Sequence, residues 1–470
     1  MRYDHWIDGR PTAPAGGRYI GTTDPRTRAA GPEIAAGDAT DVELAVDGAV
    51  AAQPGWSARS GSERSAVLHR VANAIDAHVD ELIDVERAST GKLEAQARAE
   101  VVMSAAYFRY YAGAVMTLHG RTIDQGARNH TYTRLEPYGV VAVITPWNFP
   151  INQASRACAP ALAVGNAVVL KPSEFTSPTS VMLARIAAEA GLPGGLMNVV
   201  LGTGPEVGEP LSVHPSVRRI AFTGSVATGR RLAEVAAGRL VPMTLELGGK
   251  SPLVVFADAD FDRAVAAAVS AMITNAGQVC TATTRVLVEE SLHDRFVSAV
   301  TERASGLVPG VDFGPIITEA QHAKVLEYFR VARAEGATPV IGGEPYADGE
   351  GARGRYVPPT VYPRVKSGWR IHREEIFGPV LVTMSFADEE DAVAKANDTD
   401  YGLLGAVWSG DSARGLRVAE RIEAGQISVN GGALTIETPL GGYKNSGYGR
   451  EKGVEAMHDY AQIKSISLSL

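Results

Sequence analysis

The chain has 470 residues, 45% of them hydrophobic, and a net charge of −8. That length and apolar content can support two or three packed domains. The negative balance, with no basic stripe to neutralise phosphates, excludes a nucleic-acid partner, and scattered acidic residues leave no acidic tail.

Two cysteines cannot staple a chain of this size, which points to a reducing, cytoplasmic setting. The opening "MRYDHWIDGR" lacks the apolar stretch of a signal peptide. The most apolar segment, Ala264 to Ile273, is too short to span a bilayer, so no membrane association is expected. The ten histidines are dispersed and neither CxxC nor HExxH occurs, so no metal site is expected.

In chain order, the first clear element is an amphipathic helix over Ser62 to Gly91. Leu68, Val71, Ile75, Val79 and Leu82 recur at three- and four-residue steps. Ser60 and Glu63 have capping-box spacing, and Gly91 is a good terminator. The polar, alternating "HTYTRLE" (130–136) is a strand candidate.

From Gly139 the rhythm changes. "GVVAVIT" (139–145), "AVVLK" (167–171), "MNVVL" (197–201), "RIAFT" (219–223) and "MTLEL" (243–247) are continuous apolar runs with alanine-rich helical stretches between them. Strands buried on both faces have this pattern, so an open parallel α/β sheet is expected. Such sheets bind ligands beyond the carboxyl ends of their strands.

A second α/β series follows: "PLVVF" (252–256), "TRVLV" (284–288), "PVLVTMSF" (379–386), "LGAVW" (404–408) and "QISVN" (426–430). Helical patterns at 260–274, 292–305, 318–334 and 411–423 separate these strands. The closing "ISLSL" puts Ile466, Leu468 and Leu470 on one face. Paired with 130–136, it would form either an arm joining another subunit's sheet or a strand docked within its own chain.

Several loops after these strands carry candidate chemistry. "PWNFP" (146–150) holds Asn148, an amide donor suited to an oxyanion, in a loop stiffened by two prolines. "KPSE" (171–174) offers Lys171 and Glu174 to ribose hydroxyls; the pair could equally be solvated. "GSVATG" (224–229) opens a helix at Gly224 and Ser225, either to hold a diphosphate or as an ordinary helix start.

In "LELGGK" (245–250), Glu246 ends an apolar strand, where partial desolvation would raise its pKa toward that of a general base; a salt-bridged structural role is the alternative. "NAGQVC" (275–280) presents Cys280 in a glycine-containing turn, as a nucleophile or as core filler. Cys158, in "RACAPAL", reads as buried filler.

Together "PWNFP", "LELGGK", "GQVC" and "EEIFGP" resemble the aldehyde dehydrogenase superfamily, over nearly the whole chain to the closing "PLGGYKNSGYGREKG" (439–453). The resemblance implies a fold of three parts. An open parallel-sheet NAD-binding domain would take 1–118 and 138–246, a second α/β catalytic domain 247–445, and a small β oligomerisation arm 119–137 and 455–470.

By the same resemblance, Cys280 is the nucleophile and Glu246 the general base. Asn148 and the Cys280 backbone N–H form the oxyanion hole, and Glu451 relays protons. Thr145, Pro146, Trp147, Lys171, Glu174, Gly224, Ser225, Gly248, Glu375 and Phe377 would hold NAD, with NADP disfavoured by Glu174. Phe149, Arg156, Thr281 and Leu440 would face the aldehyde.

The implied chemistry is attack by the thiolate, hydride transfer to nicotinamide, a thioester on Cys280 and its hydrolysis through Glu246-activated water. Arg156, eight positions after Asn148, resembles the arginine of semialdehyde dehydrogenases. Thr274 stands where a second arginine would be expected, and a structural ion pair is the other reading of Arg156. Leu440 replaces a phenylalanine common in its motif, which weakens the case for an aromatic cage around an ammonium group. A homodimer or homotetramer is expected. The rivals are a catalytically silent cofactor-binding protein of this fold and a cysteine hydrolase, the latter without a histidine tied to Cys280 by any motif.

Overall fold

The computed structural model describes residues 1–470. The expected helix over 62–91 is two helices, Gly61–Ala77 and Val79–Thr90, with the predicted Ser60–Glu63 capping box at the start and Gly91 in the left-handed conformation at the end. The break falls at His78, whose Nδ1 donates to the Ala74 carbonyl at 2.8 Å and whose backbone leaves helical geometry. Periodicity could not reveal this, because the apolar face continues across the break: Leu68, Val71, Ile75 and Leu82 are all buried.

The first sheet has eight strands. Five are the predicted apolar runs, in the order Met243–Glu246, Val217–Thr223, Val140–Ile144, Ala167–Lys171, Met197–Val199, all parallel. Both edges are finished by antiparallel additions: Gly447–Tyr448 beside Met243–Glu246, and the pair His5–Ile7 and Arg10–Thr12 beside Met197–Val199.

This order has a functional consequence. Val140–Ile144 comes first in the chain, yet its neighbours are Ala167–Lys171 on one side and Val217–Thr223 on the other. The connections therefore leave in opposite directions beyond Ile144 and Thr223, and a crevice opens between them. The loops there are Thr145 to Phe149 and Gly224 to Ser225.

The second sheet has six parallel strands in the order Thr360–Tyr362, Val380–Phe386, Arg285–Glu289, Pro252–Val255, Leu404–Trp408, Gln426–Val429. Thr360–Tyr362 and the helix Glu389–Asn397 are additions to the sequence reading. Helices at Phe261–Ile273, His293–Ser305, Glu319–Ala334 and Ser412–Arg421 match the predicted patterns.

A third, antiparallel sheet pairs Ala461–Ser469 with Asn129–Pro137 over nine residues, and Thr122–Ile123 extends it. Its surface leaves Ile463, Leu468 and Leu470 exposed. No helix is long and apolar enough to cross a membrane.

Candidate active site

Cys280 owes its position to an unusual turn. Asn275, Ala276 and Gly277 all have positive φ, of 47°, 52° and 73°. Gly277 has no substitute there, since a Cβ would lie 2.1 Å from the Gly378 carbonyl oxygen. The buried Gln278 side chain pins the turn, donating to the Asn275 carbonyl at 2.7 Å and the Pro315 carbonyl at 3.2 Å while accepting from the Ile317 N–H at 2.9 Å. Gln278 was not singled out as a site residue from sequence; its role is legible only once its three partners are in space.

The "PWNFP" loop is tied to the same turn. Asn148 Nδ2 donates to the Gln278 carbonyl at 2.9 Å, and Asn275 Nδ2 donates to the Asn148 carbonyl at 2.9 Å. An amide NH2 has two hydrogens, so Asn148 keeps one donor uncommitted. Asn148 is buried and lines the same cavity as Cys280.

Two cavities meet at Cys280. The first, roughly 170 Å³, sits at the sheet crevice and is walled by Pro146, Trp147, Asn148, Gly224, Ser225, Glu246, Gly248, Glu375 and Phe377. The Trp147 and Phe377 rings stand edge-to-face across it, 5.5 Å apart. The second, roughly 390 Å³, is walled by Phe149, Arg156, Thr281 and Leu440, the four residues expected on the aldehyde side. Gln153 joins Cys280 in facing both. It lies three positions before Arg156 on the helix Pro150–Val164, so one helix face serves both.

Glycines let the walls close. At Gly248 a Cβ would sit 2.3 Å from Glu375 Oε2, and at Gly249 one would sit 2.6 Å from the Cys280 carbonyl oxygen. Glu375 instead accepts the Gly249 N–H at 3.0 Å. Gln321 Nε2 donates to the Ile376 and Phe377 carbonyls at 2.8 and 2.9 Å, holding Phe377 at a positive φ of 60°. Gln321 and Lys324, which also face the first cavity, carried no motif in the sequence.

The remaining expected cofactor residues lie outside the cavity wall. Thr145 and Lys171 end adjacent strands and are joined by a backbone bond of 3.1 Å. Lys171 Nζ donates to Glu174 Oε2 at 3.3 Å. Ser225, on the cavity wall, caps the helix Val226–Arg239, accepting from the Thr228 N–H at 3.2 Å.

Glu246 is buried, with Oε1 unpartnered. Burial, reinforced by the Glu451 carboxylate, pushes its pKa up to about 8 against the opposing pull of Arg156. Cys280 retains some exposure to the cavities, but its deep surroundings push the thiol up to about 11, again opposed by Arg156. Arg156 forms an ion pair from Nε to Glu451 Oε2, both side chains buried. Burial alone would lower the guanidinium pKa; Glu451, Tyr107, Glu246 and Cys280 together outweigh it and hold the value above normal. Glu451 lines neither cavity and is fixed by reciprocal backbone bonds to Leu440 of 2.6 and 2.7 Å. Cys158 is wholly buried, with its thiol pushed above the ordinary range by burial.

Residues 12–466 match the model of the aldehyde dehydrogenase family. Solved structures with the same fold include a candidate aldehyde dehydrogenase from Burkholderia cenocepacia, 41% identical, with 99% of each chain covered and a TM-score of 0.96. An NAD-dependent aldehyde dehydrogenase from Sinorhizobium meliloti is 39% identical, with 100% of this chain and 95% of that one covered and a TM-score of 0.97. A betaine aldehyde dehydrogenase from Staphylococcus aureus, solved with NAD+, is 35% identical, with 99% and 94% covered and a TM-score of 0.97. The chain belongs to the aldehyde dehydrogenase family.

Proposed function

We propose that this enzyme oxidises an aldehyde to the carboxylic acid with NAD+, through a covalent intermediate on Cys280. The observation that carries this reading is the meeting of two differently built cavities at one thiol. One lies at the switch point of a parallel sheet, where dinucleotides bind; the other leads from the thiol past apolar walls.

The first cavity and its margin fit NAD+. Gly224 brings bare backbone to the mouth of the 14-residue helix Val226–Arg239, whose N-terminus favours a diphosphate. Lys171 and Glu174 would hold the adenosine ribose, and Glu174 would repel the 2′-phosphate of NADP+. Glu375, Phe377, Gly248, Thr145, Pro146 and Trp147 would enclose the nicotinamide end. NAD+, when bound there, supplies the hydride-accepting ring.

The protein's own groups do the rest. The Cys280 thiol gives its proton to the Glu246 carboxylate, which passes it to solvent, and the sulfur attacks the aldehyde carbon; the free Nδ2 hydrogen of Asn148 and the Cys280 N–H donate to the developing oxyanion. Once the carbon has been oxidised to a thioester, Glu246 takes a proton from water, and the resulting attack releases the acid and restores the thiol. Glu451 tunes this step through Arg156 and through its own charge on Glu246. Phe149, Thr281 and Leu440 would line the aldehyde's path.

The reading assigns 1–118 with 138–246 to the cofactor, 247–445 to the Cys280 half, and 119–137 with 455–470 to an arm pairing subunits into a dimer or tetramer. The test is NADH absorbance with aliphatic, aromatic and carboxylated aldehydes. Aldehyde-dependent NADH formation with stoichiometric acid is expected; its absence across the panel would leave a silent cofactor-binding protein.

A further inference from the structure

Three charged side chains face the larger cavity: Glu100, Arg156 and Lys452. Two of them are already answered. Glu100 is bonded to the buried Lys92 ammonium, which also lies 3.8 Å from Glu86. Arg156 is paired with Glu451. Lys452 has no carboxylate within ion-pair distance, and its Nζ makes no hydrogen bond to the protein.

The backbone that carries it is constrained. Lys452 has a φ of 59°, which side-chain-bearing residues rarely adopt, and Gly453 follows at 58°. Glu451 is clamped to Leu440 on one side, and the Gly453 N–H donates to the Ile436 carbonyl at 2.8 Å on the other. Strained, over-determined positions of this kind concentrate where a side chain must be aimed. Lys452 shares the cavity wall with Cys280 and Thr281, and its charge acts on Glu246.

We propose that Lys452 is a specificity-determining residue, and that the substrate is an aldehyde carrying a carboxylate at its far end, seated on the Lys452 ammonium while the aldehyde carbon meets Cys280. This rests on the reading of Cys280 as the nucleophile. Burial and the Arg156 charge hold the Lys452 pKa down to about 8, against the smaller pull of Cys280, Glu451 and Glu246. A single ammonium charge matches a carboxylate better than a doubly charged phosphate. The Arg156 charge is already balanced by Glu451, although its buried Nη2 has no hydrogen-bond partner.

The experiment compares kcat/KM with NAD+ for an aldehyde ending in a carboxylate, its methyl ester, and an aldehyde phosphate, in the wild type, Lys452→Gln and Lys452→Arg. The wild type is expected to prefer the acid to the ester by about tenfold or more, a ratio worth about 1.4 kcal/mol. That ratio should collapse toward unity in Lys452→Gln and survive in Lys452→Arg. No acid preference in the wild type, or an undiminished one in Lys452→Gln, overturns the proposal, and a preference for the phosphate overturns the carboxylate assignment. Oxidation of the ester without acid preference sinks this proposal and leaves the dehydrogenase reading standing. Failure of every aldehyde sinks the dehydrogenase reading itself. Should Lys452→Gln not fold, the wild-type preference and the Lys452→Arg ratio still decide.

Discussion

The Arg156 guanidinium is held in a buried ion pair by Glu451, and its charge reaches both Glu246 and Cys280. One ion pair thus adds to the electrostatics of both groups, for which burial is the larger cause. Removing one partner strands the other in a desolvated site. Arg156→Met or Glu451→Gln alone should lower stability by about 3–5 kcal/mol, whereas the double replacement by apolar side chains of similar volume should recover most of the loss. Denaturant midpoints of the single and double variants check this; single variants as stable as the wild type contradict it.

Glu246 acts as a base only when deprotonated. With its pKa near 8, thioester hydrolysis should accelerate about tenfold per pH unit below that value and level off above it. Glu451→Gln deletes a neighbouring negative charge that raises the Glu246 pKa, so the rise should move toward lower pH. Single-turnover hydrolysis rates measured against pH in both proteins test the direction. A profile that moves upward would show that Glu451 does not act on Glu246 in this way.

Asn148 is anchored to the Cys280 turn by one amide hydrogen, and in the proposed mechanism the other is offered to the oxyanion. Asn148→Ala should therefore reduce kcat by about 10²–10³-fold, in line with the loss of one oxyanion donor. Steady-state kinetics with a saturating aldehyde read this out, and a change confined to KM would assign Asn148 to binding instead.

Glu174 accepts from Lys171 and, in the proposed cofactor pose, would also accept from the ribose 2′-hydroxyl. The kcat/KM for NAD+ should exceed that for NADP+, and Glu174→Gln should narrow the gap by relieving repulsion of the 2′-phosphate. A wild-type preference for NADP+ would place the adenosine end elsewhere.

The arm strand Ala461–Ser469 covers Asn129–Pro137 and leaves Ile463, Leu468 and Leu470 exposed. On the proposed pairing of subunits through this arm, deleting 461–470 should give smaller species than the full chain in sedimentation velocity. An unchanged sedimentation coefficient would mean that subunits meet through another surface.

Much of the fold was legible because buried parallel strands announce themselves as unbroken apolar runs. The switch-point crevice followed from strand order, which only pairing in space could supply. His5–Ile7 and Gly447–Tyr448 escaped notice because two- and three-residue edge strands carry no periodicity. At the site, Cys280, Glu246 and Asn148 were readable from motif chemistry, and the structure brings all three to one cavity. Arg156 was readable as a cation near the aldehyde side but not as a partner of Glu451, which lies far away in sequence. Gln278, Gln321 and Gln153 act through contacts with distant carbonyls or through helix-face position, and no local pattern marks such roles. Lys452 looked like one more charged residue in a terminal loop until the cavity gave it a neighbourhood.

The most direct test of the account is intact-protein and peptide mass spectrometry of Glu246→Gln after incubation with aldehyde and NAD+. The variant should release about one NADH per subunit in a rapid phase and then stall with an acyl group on the peptide containing Cys280. Rapid, sustained NADH production with the Cys280 peptide unmodified would contradict the covalent route.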